Sequence, residues 1–190
     1  MTGVQTCALP ISTKKAARCF YALEQNRADQ KRYPAVNPID SYSKYLEYPE
    51  IRQHLSEKVR PGWVEMVEKT KNIVRKGKDA NDQINILGDD GVPMSYHELF
   101  WKSELVDFVI LQQDAFDAID SVTPLDRQQY MLELVLSICE QDFTFEDYEQ
   151  CRNFFKETIN LLRQMNYSEF KSEKFENYIQ QLTNLLSNGN

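Results

Sequence analysis

Clustered metal ligands are missing from this sequence: 190 residues carry two histidines, His54 and His97, and four cysteines, at 7, 19, 139 and 151, with no CxxC pair. Zinc sites draw on Cys and His at short spacings, so the scarcity argues against one. Long apolar runs are missing too. Phe108-Val109-Ile110-Leu111 and Leu134-Val135-Leu136 fall well short of the roughly 20 residues that a membrane helix needs, which excludes a spanning helix and direct membrane insertion. Positive charge is in deficit, with 22 Lys and Arg against 29 Asp and Glu and a net charge of -7. Such a chain has no bulk attraction for nucleic acid or anionic lipid. Glycine and proline number only six and seven, and 42% of the residues are hydrophobic. This is the composition of a globular protein, long enough for one domain or one and a half.

The usual signatures of phosphate and hydrolase chemistry are also absent. A P-loop reads GxxxxGK[ST], because backbone amides wrap a phosphate while the Lys and hydroxyl reach the terminal phosphate and the magnesium. The nearest candidate, Gly77-Lys78, is followed by Asp79 and has Asn72 where the first glycine belongs. No GxGxxG, GxSxG or HExxH occurs. Glu146-Asp147 and Glu173 with Glu176 read as solvated helix faces, and Cys139 and Cys151, on apolar helix positions, as buried small hydrophobes. Taken alone, the segment is non-catalytic.

Residues 1–12 hold no charged side chain and lack the positive start of a signal peptide; the string TGVQTCALPIS resembles a translated sequencing adapter. They are expected to be an artefact outside the fold, with the natural polypeptide extending upstream of Thr13. A short strand is expected at residues 18–23, then a polar stretch, then an ordered loop over 33–43, where Pro34 and Pro38 disfavour helix and central strand. Helical periodicity follows. Pro49 opens one helix, Pro61 another with a stripe of Trp63, Met66, Val67, Ile73 and Val74, and Gly77 is expected to stop it. Residues 78–94 then read as a connecting loop. Ser95-Tyr96-His97-Glu98 reads as a capping box for a helix carrying Leu99, Trp101, Leu105, Phe108, Val109 and Gln112 on one side. Thr123-Pro124 reads as an N-cap with proline at N1, followed by Met131, Leu134, Val135, Ile138 and Cys139 as the buried stripe. Two further helices carry Tyr148, Cys151, Phe155, Ile159, Leu162 and Met165, then, opened by Ser172, Phe175, Tyr178, Ile179, Leu182 and Leu186.

Two strings carry a family likeness. Tyr33-Pro34-Ala35-Val36-Asn37-Pro38-Ile39-Asp40-Ser41-Tyr42-Ser43-Lys44-Tyr45 resembles F-P-A-I-N-x-x-x-S-Y-S-x-Y, which follows the nucleotide-binding core in the catalytic A subunit of V-type (V/A-type) ATPases and ATP synthases. It is also similar to Y-P-A-V-D-P-L-D-S of the F-type catalytic beta subunit. Asp107-Phe108-Val109-Ile110-Leu111-Gln112-Gln113-Asp114-Ala115-Phe116-Asp117 resembles the family's E-D-F-L-Q-Q-N-A-F-D, and Arg18 to Leu23 its V-K-V-F-W-A-L strand.

The resemblance implies a mainly α fold: a C-terminal helical bundle over residues 46–190, preceded at 13–45 by a short strand and ordered loop left over from a truncated α/β nucleotide-binding domain. It further implies that Tyr33 and Phe116 wall the adenine of ATP or ADP, with Pro34 beside it. Gln113 would lie at the rim, though a helix C-terminal cap is an equal reading. An aromatic face grips a purine by dispersion and quadrupole without a charge. Tyr33 stands for the family's usual Phe, and Asp114 for its Asn. The Walker A loop, catalytic Glu and magnesium ligands of the family lie upstream, so the chain by itself is expected to be inactive. Implied partners are the B subunits of the catalytic hexamer and the central stalk, reached through residues 88–93 or a helix end at 143–146. The implied place is cytoplasmic and peripheral to the membrane. The alternative is a helical adaptor or regulatory paralogue that binds no nucleotide.

Overall fold

In the computed structural model, which describes residues 16–188, helices dominate. Strand β1 (Cys19–Phe20) pairs antiparallel with β2 (Tyr42–Ser43), Cys19 opposite Ser43 and Phe20 opposite Tyr42. An isolated bridge from Leu23 to Val36 extends the pairing. Between the strands lie the short helix α1 (Gln25–Asp29), inside the polar stretch, and the expected ordered loop. The adapter-like residues 1–12 fall outside the described residues.

Helix α2 (Pro49–Lys58) begins with its proline at the first turn, where the missing N–H has no intrahelical partner to lose. It buries none of its residues. Helix α3 spans Trp63–Leu87 and α4 Met94–Val106, the latter continuing into a π turn at Asp107–Leu111. Helices α5 (Leu125–Cys139), α6 (Tyr148–Asn166) and α7 (Glu173–Asn188) complete the bundle. No helix among the described residues is long and apolar enough to cross a membrane.

Gly77 does not stop α3. The helix runs ten residues further, so most of the stretch read as loop is helical, and Gly88, at φ 81°, ends it. The reason Gly77 is a glycine is spatial: a Cβ there would lie 2.0 Å from the Ser103 Cβ and 3.0 Å from the Leu99 carbonyl oxygen of α4. Val64, Thr70, Val74, Gly77 and Ala80 form the buried stripe, and the small Gly77 and Ala80 let the two backbones close up into an antiparallel hairpin. At 1.5 Å rise per residue, α3 is about 37 Å long. Its free end exposes Ile86 by 74% and Leu87 by 57%.

Local boundaries move elsewhere as well. Helix α4 starts at Met94 with Pro93 at the N-cap and no side-chain cap, so Ser95 does not form the expected box. Gln112 lies past the helix and serves as C-cap of the π turn. Pro124 sits at the N-cap of α5, one residue earlier than N1, and Thr123 instead donates its hydroxyl to the Asp120 carbonyl at 3.0 Å. Ser172 keeps its expected place, its Oγ accepting from the Phe175 N–H at 3.3 Å.

The core joins α4, α5, α6 and α7 through Leu105, Val109, Val135, Ile138, Phe155, Leu162, Phe175 and Leu182. Each side chain fully buried there contributes roughly 1.5–3 kcal/mol. Cys139 and Cys151 are buried in it as expected. Phe143 packs against Phe154 at 4.8 Å between ring centroids and against Phe155 at 5.8 Å. The 143–146 segment, an irregular connection and not a helix end, therefore offers no exposed Phe143 to a partner.

Candidate functional site

The site grows from how residues 32–43 are held. Asn37 is buried, its Oδ1 accepting from the Ile39 and Asp40 N–H groups at 2.8 and 2.9 Å while its Nδ2 donates to Asp40. Its own N–H donates to the Ala22 carbonyl at 2.8 Å, and the Ala22 N–H donates to Ser41 Oγ at 3.0 Å. Asparagine suits this turn because its short amide substitutes for backbone partners. The Tyr33–Pro34 peptide is cis. The Asn37, Ala22 and Ser41 bonds close the loop against the strand segment before it meets the bundle.

Two attachments fix it to the end of α4. Arg32 donates from Nη1 and Nη2 to the two oxygens of Glu104 at 2.8 and 2.9 Å, and from Nη1 to Asp107 at 2.6 Å. Arg27 pairs with the other oxygen of Asp107 at 2.7 Å. Burial opposes the charge on Arg32, but Glu104 and Asp107 outweigh it and hold its pKa above the ordinary arginine value. The second attachment is direct: the Gln113 N–H donates to the Tyr33 carbonyl at 3.0 Å.

Residues 114–120 form a loop braced by its own aspartates. Asp114 Oδ1 accepts from the Phe116 N–H, Asp117 Oδ1 from the Ile119 and Asp120 N–H groups, and Asp120 Oδ2 from the Asp114 N–H. Those amide donors hold the Asp117 carboxyl below its usual range. Asp120 is buried, and desolvation pushes its carboxyl up against the opposing pull of the Asp114 N–H and Arg127. Arg127, 2% exposed, donates to the carbonyls of Met165 and Asn166 at the end of α6. A cation on the terminal carbonyls of a helix satisfies orphan acceptors and complements the dipole. Asn166 in turn donates to the Val109 carbonyl in the π turn at 2.9 Å.

A cavity of about 460 Å³ opens between these parts, lined by Tyr33, Phe108, Gln113, Phe116, Arg163 and Tyr167 among others. That volume lies within the range of small-molecule pockets. Tyr33 is 54% exposed, and Phe116, at 101%, stands clear on its braced loop. Three of the four sequence candidates, Tyr33, Gln113 and Phe116, therefore meet at one cavity. Pro34 lines a neighbouring apolar one together with Trp63 and Met131, and Gln113 touches both. The Gln113 Nε2 donates to the Asp120 carbonyl at 2.7 Å, not to a helix end, and closes the 114–120 loop, while the residue stays in the lining of the cavity. A larger groove, about 960 Å³, lies away from both aromatics, between residues 42–47 and α3.

The described residues hold no group of three or more His, Cys, Asp or Glu placed to bind a metal ion. Burial pushes the thiols of Cys139 and Cys151 up to about 12, which removes them as nucleophiles. What the cavity presents is a wall with two exposed aromatic side chains, Tyr33 and Phe116.

Sequence reading missed the Arg27–Arg32–Glu104–Asp107 cluster and Arg127. Arginines in a polar stretch look solvated, and nothing in the spacing joins residue 32 to residue 104.

A family model for the C-terminal domain of V and A type ATP synthase matches residues 52–151. The chain belongs to the V- and A-type ATP synthase family. Similar relatives include the V-type ATP synthase alpha chains of Chlamydia abortus, 34% identical, and Chlamydia trachomatis, 35% identical, each aligned over 175 residues and 92% of this chain. Those alignments cover 29% of the relatives, so the chain spans less than a third of their length. Among solved structures, the ATP synthase subunit NeqB from Nanoarcheaum equitans superposes over 72% of this chain and 32% of its own, with a TM-score of 0.53 and 17% identity, a likeness of fold. The V/A-type C-terminal domain model begins inside α2 and ends at the start of α6, so it spans the α3–α4 hairpin and residues 107–120, whereas Tyr33 precedes it.

Proposed function

We propose that this chain is part of the catalytic subunit of a rotary V-type ATPase or ATP synthase, where it supplies the adenine-side wall of the nucleotide site and the helical lever that answers to it. The observation that carries the reading is the meeting of Tyr33 and Phe116, 83 positions apart, at one cavity joined by the Tyr33–Gln113 backbone bond. A half-exposed tyrosine and a fully exposed phenylalanine fit a purine, whose faces are apolar and uncharged; each stack contributes about 1–3 kcal/mol. In this reading the phosphates and Mg are held elsewhere in the subunit. Bound ATP supplies the phosphoryl chemistry, while these residues orient its base and hold one face out of water.

The α3–α4 hairpin is suited to transmission. Its helices touch through Gly77 and Ser103 with no room for a Cβ at Gly77, so it moves as one rod. Its tip, with Ile86, Leu87 and the exposed 89–91 turn, is the surface offered to a central stalk. The 13–45 segment then forms the edge of the nucleotide-binding domain and 46–190 the helical domain, in a subunit flanked by B subunits and peripheral to the membrane on its cytoplasmic side.

The test is made in the full-length subunit within its complex. Tyr33→Ala should raise the KM for ATP about 5- to 100-fold. The isolated chain should show no magnesium-dependent ATP turnover. Unchanged ATP affinity in Tyr33→Ala would leave the adaptor or regulatory reading in its place.

A further inference from the structure

We infer that Arg32 is a positioning residue for the base-binding aromatic, acting through Glu104 and Asp107, so that the direction of the Tyr33 ring is set by the end of α4. This deepens the reading of the cavity as the base site and rests on it.

Four observations converge. Arg32 directly precedes Tyr33, and its guanidinium spans two carboxylates that both stand on the last turn of α4 and the first residue of the π turn. Its side chain is largely buried, as are those of Glu104 and Asp107. It also lies over the ring of Phe108, 4.8 Å from the centroid, and Phe108 lines the same cavity as Tyr33. Finally, the π turn that begins at Asp107 delivers the Gln113 N–H to the Tyr33 carbonyl at 3.0 Å. Tyr33 is thus held on both sides, through the side chain before it and through its own carbonyl, and both tethers lead to the same helix end.

Burying four charges is a poor way to gain stability, because desolvation offsets most of the Coulombic attraction and apolar residues of similar volume commonly do as well. A forked guanidinium on a carboxylate adds direction, since two parallel hydrogen bonds fix the angle as well as the distance. The bridge to Asp107 then places that fixed angle relative to the π turn. Any tilt of α4 turns Arg32, and with it the backbone that carries Tyr33. The same link runs in reverse, so a base seated on Tyr33 resists the tilt. Arg27, on the far oxygen of Asp107, keeps that carboxylate from swinging away.

The experiment compares the KM ratio of CTP to ATP for hydrolysis by the complex containing the full-length subunit, in wild type, Arg32→Gln, Arg32→Lys, Glu104→Gln, Tyr33→Ala and the Arg32→Gln/Tyr33→Ala double variant. A six-membered base offers less face to stack on, so the ratio reads the aromatic contact rather than the phosphates. Arg32→Gln should lower the ratio about 3- to 10-fold, mostly through a raised KM for ATP with kcat nearly kept. Lysine, a point charge without the fork, should restore only part of it. In the Tyr33→Ala background Arg32→Gln should change the ratio no further. Glu104→Gln, which keeps the Asp107 pairing, should act in the same direction more weakly, and it decides the matter if Arg32→Gln does not assemble. A wild-type ratio in Arg32→Gln, or in Glu104→Gln where that variant decides, beside a lowered one in Tyr33→Ala overturns the inference and leaves the base site standing. A wild-type ratio in Tyr33→Ala overturns the site reading itself.

Discussion

Replacing Gly77 with alanine tests the hairpin most directly, because two ordinary rules give opposite signs. On helix propensity alone the change inside a 25-residue helix should stabilise by about 1 kcal/mol. Packing says otherwise. The added methyl would sit 2.0 Å from Ser103 Cβ, 2.5 Å from Ser103 Oγ and 3.0 Å from the Leu99 carbonyl oxygen. A rotamer change can move the hydroxyl, but neither the Cβ nor the carbonyl can leave without shifting α4. Overpacking costs about 1–3 kcal/mol, and the upper end applies because a Cβ and a backbone carbonyl must give way, so with about 1 kcal/mol of propensity subtracted the net loss is about 2 kcal/mol. For a chain of this size that lowers Tm by about 4–8 °C. Urea unfolding followed by far-ultraviolet circular dichroism measures it, with Ser103→Gly as the complement. The double variant, relieved of both serine contacts, should recover stability beyond the sum of the two single changes. A Gly77→Ala chain as stable as wild type or more so would refute the close approach, and with it the single-rod account of α3 and α4.

Other outcomes follow from the same contacts. Arg127→Met should lose about 2–3 kcal/mol in the same assay, because the Met165 and Asn166 carbonyls lose their donor and Asp120 loses its nearby cation. Asp120 has its folded-state pKa raised by burial, so its ionisation weighs against the fold at neutral pH, and its contribution improves as the pH falls through that raised value. Asp120→Asn should therefore gain relative to wild type at pH 7 and lose that gain on acidification toward pH 4, read as the difference in urea midpoints; a gap that widens in acid would contradict this. Cys139 and Cys151 should resist iodoacetamide at pH 8 until denaturant is added, as followed by mass spectrometry, since both are buried and their thiols titrate near 12.

By itself the sequence determined the helical class, the stripes of α5, α6 and α7, the ordered loop around Pro34 and Pro38, and the burial of Cys139 and Cys151. These follow from local periodicity and from what proline forbids, which neighbours in the chain suffice to decide. Tertiary structure alone decided the fate of Gly77. The residue is equally at home ending a helix or admitting a neighbour, and only the arrival of Ser103 selects the second. It also decided that Ser95 caps nothing, because Pro93 had already set the start of α4. Arg27 and Arg32 read as solvent-facing charges until Glu104 and Asp107 come to meet them across more than 70 positions. Such pairings depend on where folded elements end, a distance in space that no spacing along the chain records.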